Sequence, residues 1–237
     1  MGLNHSPSIV TNGLVLALDA ANPKSYSGSG TSWNNLNGNI NNGTLVNTPT
    51  YNTNVSFSFD YTQSEYVTFA NTNSFMFLNL LPYTLESWIY PTIDPGAGNY
   101  TGIFNRESSD VGAVRDGYNM FVVQSGSNVL ISSERFAAGS VVNAGENIVI
   151  ASFLNVWHHV LSTFDGSVVK FYRNGVLKQT SGITTTNLTN NIQTLQIAQR
   201  GGQYYRGNIS IANIYNRALT ADEILQNYNA LKGRYGL

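Results

Sequence analysis

The chain has 237 residues, no cysteine and a formal net charge of -1. These values exclude disulfides, zinc-thiolate sites and thiol nucleophiles, and they argue against nucleic acid or an anionic membrane as partner, since both select clusters of Lys and Arg. Charged residues make up 11% of the chain, less than half of the usual ~25%, and Asn, Ser, Thr and Gly take their place.

An all-β unit of this length buries enough surface to need neither metal nor disulfide. Residues 1–237 are therefore expected to form a single domain, with 1–13 as an N-terminal arm. No apolar run reaches 18 residues, so no transmembrane helix and no membrane insertion are expected. Met1 to Val10 lacks the basic and apolar regions of a signal peptide. Low net charge removes self-repulsion that keeps proteins apart, which suits a homo-oligomer.

Leu14 to Asp19 is a short apolar run that suits a buried strand. Asn22-Pro23 turns the chain into Ser25 to Gly43, rich in Ser, Gly and Asn, where Trp33, Leu36 and Ile40 are placed to pin the loop to a core. Val55 to Asp60 and Glu65 to Phe69 read as a hairpin. Tyr83 to Tyr90 is a central strand, with Leu85, Ser87 and Ile89 on one face and Thr84, Glu86, Trp88 and Tyr90 on the other. Pro91, lacking a ladder donor, ends it.

Gly102 to Arg106 resumes a strand, and Glu107 to Gly117 reads as a polar loop carrying Glu107, Asp110, Arg115 and Asp116. Tyr118 to Gln124, Val129 to Ser133, Glu146 to Phe153 and Trp157 to Phe164 follow as strands. His158 and His159 read as core residues without a visible partner set. Val168 to Arg173 and Val176 to Thr180 flank Asn174-Gly175, which accepts the positive φ of a type I′ hairpin turn. Leu195 to Ala198 and Ile209 to Tyr215 complete the strands. About a dozen strands at 8–12-residue spacing describe an all-β, two-sheet antiparallel jelly-roll sandwich.

One short C-terminal helix is expected over 220–231. Thr220 can cap it, and Glu223 can reach back to complete a capping box. Ile224, Leu225, Tyr228 and Leu231 fall on one face.

The order of Trp157-His158-His159-Val160, Phe164-Asp165-Gly166, Tyr172-Arg173-Asn174-Gly175, Gly207-Asn208-Ile209 and Ile214 to Ile224 resembles the concanavalin A-like, laminin G-like jelly-roll domains. Upstream, Phe59-Asp60 with Glu65-Tyr66-Val67, and Thr84 to Pro91, are similar to earlier strands of that family. Gly13 to Tyr26, with Asn42 to Leu45, further resembles the start of jelly-roll proteins of tailed phages. The family includes sugar binders, adhesion modules, enzyme accessories and virion proteins, so the resemblance implies a fold before a role.

Chemistry is sparse. Glycoside hydrolysis needs two carboxylates about 5–10 Å apart, and the related glucanases place theirs on one strand as Glu-x-Asp-x-Glu. No such triple occurs; Glu86 stands alone, and Glu107, Asp110, Asp116 and Glu134 are scattered. Many relatives use Ca²⁺, which wants 6–8 oxygens. Where relatives carry an acidic pair after Gly-x-Ile, this chain has Ser210 and Ile211. Asp110 with Asp116, or Asp60 with Glu65, are the remaining metal candidates. Sugar binding needs aromatic faces and polar forks, and Tyr100, Arg115, Asp116, Asn119, Tyr204 and Arg206 supply them from three stretches, Asn99-Tyr100, the loop around Arg115 to Asn119, and Gly201 to Arg206.

The expectation is a non-enzymatic phage virion surface protein with a lectin-like fold, either capsid decoration or cement, or fibre-type adhesion to host-surface polysaccharide. Its partners would be other virion proteins and glycans, and its location the virion surface. The alternative is a cellular carbohydrate-binding module, with or without calcium. A glycan hydrolase or lyase ranks last.

Overall fold

The structure is a computed structural model, and it describes residues 7–38, 41–53, 55–70, 73–108, 115–188 and 193–237. Two eight-stranded sheets face each other, and every pairing within them is antiparallel. The first sheet runs Val176–Thr180, Val169–Arg173, His158–Phe164, Tyr83–Pro91, Gly207–Tyr215, Ser56–Phe59, Thr50–Asn52, with Leu14–Asp19 also paired to Gly207–Tyr215. The second runs Ser140–Val149, Asn128–Ala137, Gly117–Ser125, Thr101–Glu107, Gln196–Ile197, Tyr66–Thr68, Gly43–Val46, Ser32–Trp33.

Alternation along the strands decides what lies between the sheets. Leu85 and Ile89 meet Val160, Phe164, Val169, Phe171 and Ile214 from the first sheet, and Tyr118, Met120, Val122, Val129 and Ile131 from the second. The Asn174-Gly175 turn has φ of 53° and 76°, as a type I′ hairpin requires. Trp33 is buried in the core. Asn35 beside it accepts from the Ala17 amide at 2.9 Å and donates to the Val15 carbonyl at 3.1 Å. The Asn-rich loop is thus held by hydrogen bonds to the first strand, while Leu36 is exposed and Ile40 lies outside the described residues.

Two expected elements are corrected. Ser56–Phe59 and Tyr66–Thr68 do not pair with each other: the former lies in the first sheet and the latter in the second. A 3₁₀ turn at Tyr61–Gln63, capped by Asp60, carries the chain between sheets, so local alternation identified both strands but not their partners. The expected strand Glu146 to Phe153 ends at Val149, and Ile150–Phe153 forms one helical turn.

The first sheet is also buried over part of its outer face. Helix Ala221–Leu231 lies there with the part of the N-terminal arm that includes Ile9 and Val10, over Ala17, Leu161, Tyr172 and Tyr215 on one side and Trp88 and Ile211 on the other. Its capping box is present: Thr220 Oγ1 accepts from the Glu223 amide at 3.3 Å, and Glu223 accepts from the Thr220 amide at 2.9 Å. Arg217, at 2.7 and 2.8 Å, holds the Glu223 carboxyl at about 2, far below the usual range. Leu225, expected on the buried face, is 46% exposed, and Asn227 is buried in its stead. The arm explains this exchange: Asn227 Oδ1 accepts from the Val10 amide at 2.8 Å. Replacing Thr220 with Ala should cost ~1 kcal/mol, read as a lower urea midpoint at unchanged slope.

Candidate functional site

Among the described residues no helix lies over the outer face of the second sheet. On Gly117–Ser125, Tyr118, Met120 and Val122 enter the core, so the alternating Asn119 and Phe121 face outward. On the neighbouring strand Val129 and Ile131 enter the core, and Glu134 stands directly opposite Asn119. Glu107 ends strand Thr101–Glu107; it is a buried strand residue, where the sequence suggested a loop. A short ribbon, Gln199–Arg200 with Gln203–Tyr204, closes the side. It can lie against Gly102 because any side chain there would overlap the Gln199 carbonyl.

These elements enclose a cleft of about 530 Å³ lined by Tyr100, Glu107, Arg115, Glu134, Phe136, Arg200 and Gln203 among others. Arg115 Nη2 donates to both oxygens of Glu107 at 2.9 Å. Arg200 Nη2 lies 3.4 Å from Glu107 and 3.3 Å from Glu134. Asn119 Nδ2 donates to Glu107 and approaches Glu134 at 3.4 Å. Burial raises the Glu134 pKa, with Arg200 and Asn119 opposing and Glu107 adding to the rise.

Aromatic rings frame this charge network. The Arg115 guanidinium lies 3.6 Å over Phe136, and that of Arg200 lies 4.7 Å from the Phe121 ring and 5.1 Å from the Tyr100 ring. Tyr100 is 42% exposed, while its amide donates to Gln203 Oε1. The cleft therefore presents an open aromatic face beside carboxylates and guanidinium groups already held in place.

The six predicted sugar-binding residues divide. Tyr100 and Arg115 line the cleft, with Asn119 beneath it. Tyr204 and Arg206 line an adjoining pocket of about 300 Å³ with Tyr61. There Arg206 stacks 3.9 Å over Tyr61 and donates to the Asp94 carbonyl at 2.9 Å. Asp116 is buried, and its charge lies near Arg135, away from the cleft lining. Asp110 lies outside the described residues. Arg200, Phe121 and Phe136 were missed, while Gln203 falls within the Gly201 to Arg206 loop. Alternation along Tyr118 to Gln124 is the signal that puts Phe121 on the face of Asn119, but nothing local announces that Arg200 arrives from a distant ribbon.

The carboxylates called scattered are a correction too, since Glu107 and Glu134 share Asn119 and Arg200. Likewise His159 does have partners. Its Nε2 lies 2.8 Å from Glu86, and Glu86 Oε2 also receives Asn213 at 3.0 Å, Asn227 at 3.1 Å and the Tyr215 hydroxyl at 3.3 Å. All of this is buried beneath the helix, so it joins elements and offers nothing to a ligand. His158, also buried, has Nε2 3.0 Å from the Phe153 carbonyl.

Among the described residues no group of three or more His, Asp or Glu side chains could hold a metal ion. Asp60 and Glu65, one calcium pairing from the sequence, are spent on their own turn. Glu65 accepts from the Asp60 amide at 2.6 Å, and Asp60 accepts from the Thr62 amide at 2.8 Å and hydroxyl at 2.7 Å. Ser210, which stands where the resemblance led to an acidic residue being expected, accepts from the Tyr235 hydroxyl at 2.8 Å.

A model of the concanavalin A-like lectin/glucanases superfamily matches residues 60–225. The chain belongs to that superfamily. Among solved structures, this superfamily member is similar to the binding domain of Paraclostridial Mosquitocidal Protein 1, with TM-score 0.69 and 15% identity over 92% of this chain and 52% of that one. It is similar to the receptor binding domain of botulinum neurotoxin mosaic serotype C/D, with TM-score 0.69 and 15% identity over 91% of this chain and 50% of that one. It also resembles Trypanosoma rangeli sialidase in complex with sialic acid, with TM-score 0.68 and 15% identity over 95% and 34% of the two chains. The chain thus spans about half of each toxin domain and a third of the sialidase. No curated protein sequence matches it. At such identities the likeness is one of fold.

Proposed function

We propose that the chain is a non-enzymatic, lectin-like binding module that recognises carbohydrate in the cleft beside Tyr100. The observation that carries this reading is the exposed Tyr100 ring next to pre-paired Arg200, Arg115, Glu107 and Glu134. A sugar offers an apolar face for the ring and hydroxyls for the charged groups. Their mutual ion pairs hold these groups in place before binding, which lowers the ordering cost. Both Glu107 oxygens are engaged by Arg115, so the pair is poorly suited to nucleophilic or acid–base work. The binding-domain character of the similar toxin modules is consistent with this reading.

A glycan array, run with and without EDTA, tests it. Binding above that of an unrelated β-sandwich is expected, unchanged by EDTA, and Tyr100→Ala should weaken it about tenfold, ~1.4 kcal/mol. An empty array removes the reading, and reducing-sugar release abolished by Glu107→Gln would replace it with catalysis.

A place on a phage virion, as capsid decoration or fibre-type adhesin, is a second reading. It is favoured by the resemblance of Gly13 to Tyr26 and Asn42 to Leu45 to phage jelly rolls and by the low charge, which suits packed neighbours or a homo-oligomer. Its measure is co-purification with intact particles; absence from them sinks it. Among the described residues no helix is long and apolar enough to cross a membrane.

A further inference from the structure

Three pockets adjoin along one side of the sandwich. The cleft of about 530 Å³ and the pocket of about 300 Å³ are both lined by Gln203. Tyr100 belongs to the first, while its chain neighbours Asn99 and Thr101 belong to the second. The second pocket shares Tyr61 and Arg206 with a third of about 380 Å³, which reaches Ile93. Each is within or near the size range of a small-ligand site.

Each pocket also has an aromatic ring in its lining. Tyr100 is 42% exposed and Tyr61 37% exposed, and Tyr204 in the middle pocket lies 6.0 Å from Tyr66. Arg206 stacks on Tyr61 between the second and third pockets, so its planar group is held at their junction. Rings repeated along a groove with polar groups between them match a repeating ligand. A single terminal sugar would occupy only one of the three.

We infer that the Phe136-to-Ile93 groove binds an extended glycan chain along its length, with three adjoining subsites at Tyr100, Tyr204 and Tyr61. This rests on the carbohydrate reading above and narrows it to internal stretches of a polysaccharide. Subsites acting together make affinity climb with chain length until the groove is full, and then stop.

The test is calorimetric titration of the full chain with glucose-, N-acetylglucosamine- and galacturonate-based oligosaccharides of one to six units. In the series that binds, affinity should rise at least tenfold from the shortest bound fragment to the hexamer, ~1.4 kcal/mol. Tyr61→Ala, or Ile93→Arg at the same distal subsite, should remove most of that gain, with melting temperature confirming the fold. Equal affinity for short and long fragments, unaltered by either variant, overturns the groove while leaving the carbohydrate reading intact. No binding by any member of the three series overturns the groove, and together with an empty glycan array it overturns both.

Discussion

Replacing Glu86 by Ala is expected to cost about 3–5 kcal/mol, because removing one partner of a buried pair strands the others. Glu86 and His159 are both 0% exposed. The Glu86 carboxylate receives groups from two strands and the C-terminal helix, namely His159, Asn213, Tyr215 and Asn227. Asn227 and Tyr215 pass the connection on to the amide and carbonyl of Val10 in the N-terminal arm. Loss of Glu86 should therefore loosen arm and helix together. Urea unfolding gives the energy, and hydrogen exchange across residues 7–12 and 221–231 gives the location. A variant as stable as the parent would show that the pair contributes nothing net.

The same centre predicts acid sensitivity. Burial by itself raises the Glu86 carboxyl, but the hydrogen bond and charge of His159, with Asn213 and Asn227, outweigh it and leave the pKa below the ordinary value. A carboxyl with a lower folded than unfolded pKa contributes stability that is whole above ~4.3 and is lost as pH falls through the folded value. His158 acts earlier. Burial lowers its imidazole to about 4, so its contribution is whole above ~6.5 and declines as pH falls toward the folded value. Melting temperature should thus fall in two stages on acidification, and His158→Gln should flatten the upper one. A flat profile from pH 7 to pH 4 would contradict the His158 assignment, and no further fall below pH 4 would contradict that of Glu86.

Trp88→Ala should rank with Glu86→Ala, at about 3–5 kcal/mol, the range for deleting a buried large aromatic side chain. Trp88 stacks on Tyr235 with centroids 4.1 Å apart, on Tyr228 at 5.9 Å and near His159 at 5.1 Å. Two of those three rings belong to the C-terminal segment, whose Tyr235 is tied to Ser210 at 2.8 Å. The hole would open directly beneath helix Ala221–Leu231. Denaturant unfolding should show the loss, and limited proteolysis should cut near the C-terminus sooner than in the parent. An unchanged cleavage pattern would mean that the helix is held by the arm and Glu86 alone.

Tyr83 to Tyr90 shows how much of the fold was legible. Its alternation assigned Leu85 and Ile89 to one face and Glu86 and Trp88 to the other, and the structure puts the first pair between the sheets and the second beneath the helix. Asn174-Gly175 and Thr220 with Glu223 were equally readable, since turn geometry and capping depend on residues within a few positions. Leu225 and Asn227 were not, because a polar residue reads as solvent-facing until a distant amide, that of Val10, is found opposite it.

The sequence by itself determined most of the longer strands, the two faces of Tyr83 to Tyr90, the hairpin turn and the helix cap, because each follows from alternation or from short-range backbone chemistry. Only the tertiary structure decided which strands pair, as with Ser56–Phe59 and Tyr66–Thr68, which part into different sheets. It also decided the cleft. Glu107, Asn119, Glu134 and Arg200 lie on four separate elements, and register across the sheet and a ribbon folded over Gly102 bring them together. Residues that meet through closure of long loops leave no local pattern, and a binding site made in that way becomes visible only once the sheet is assembled.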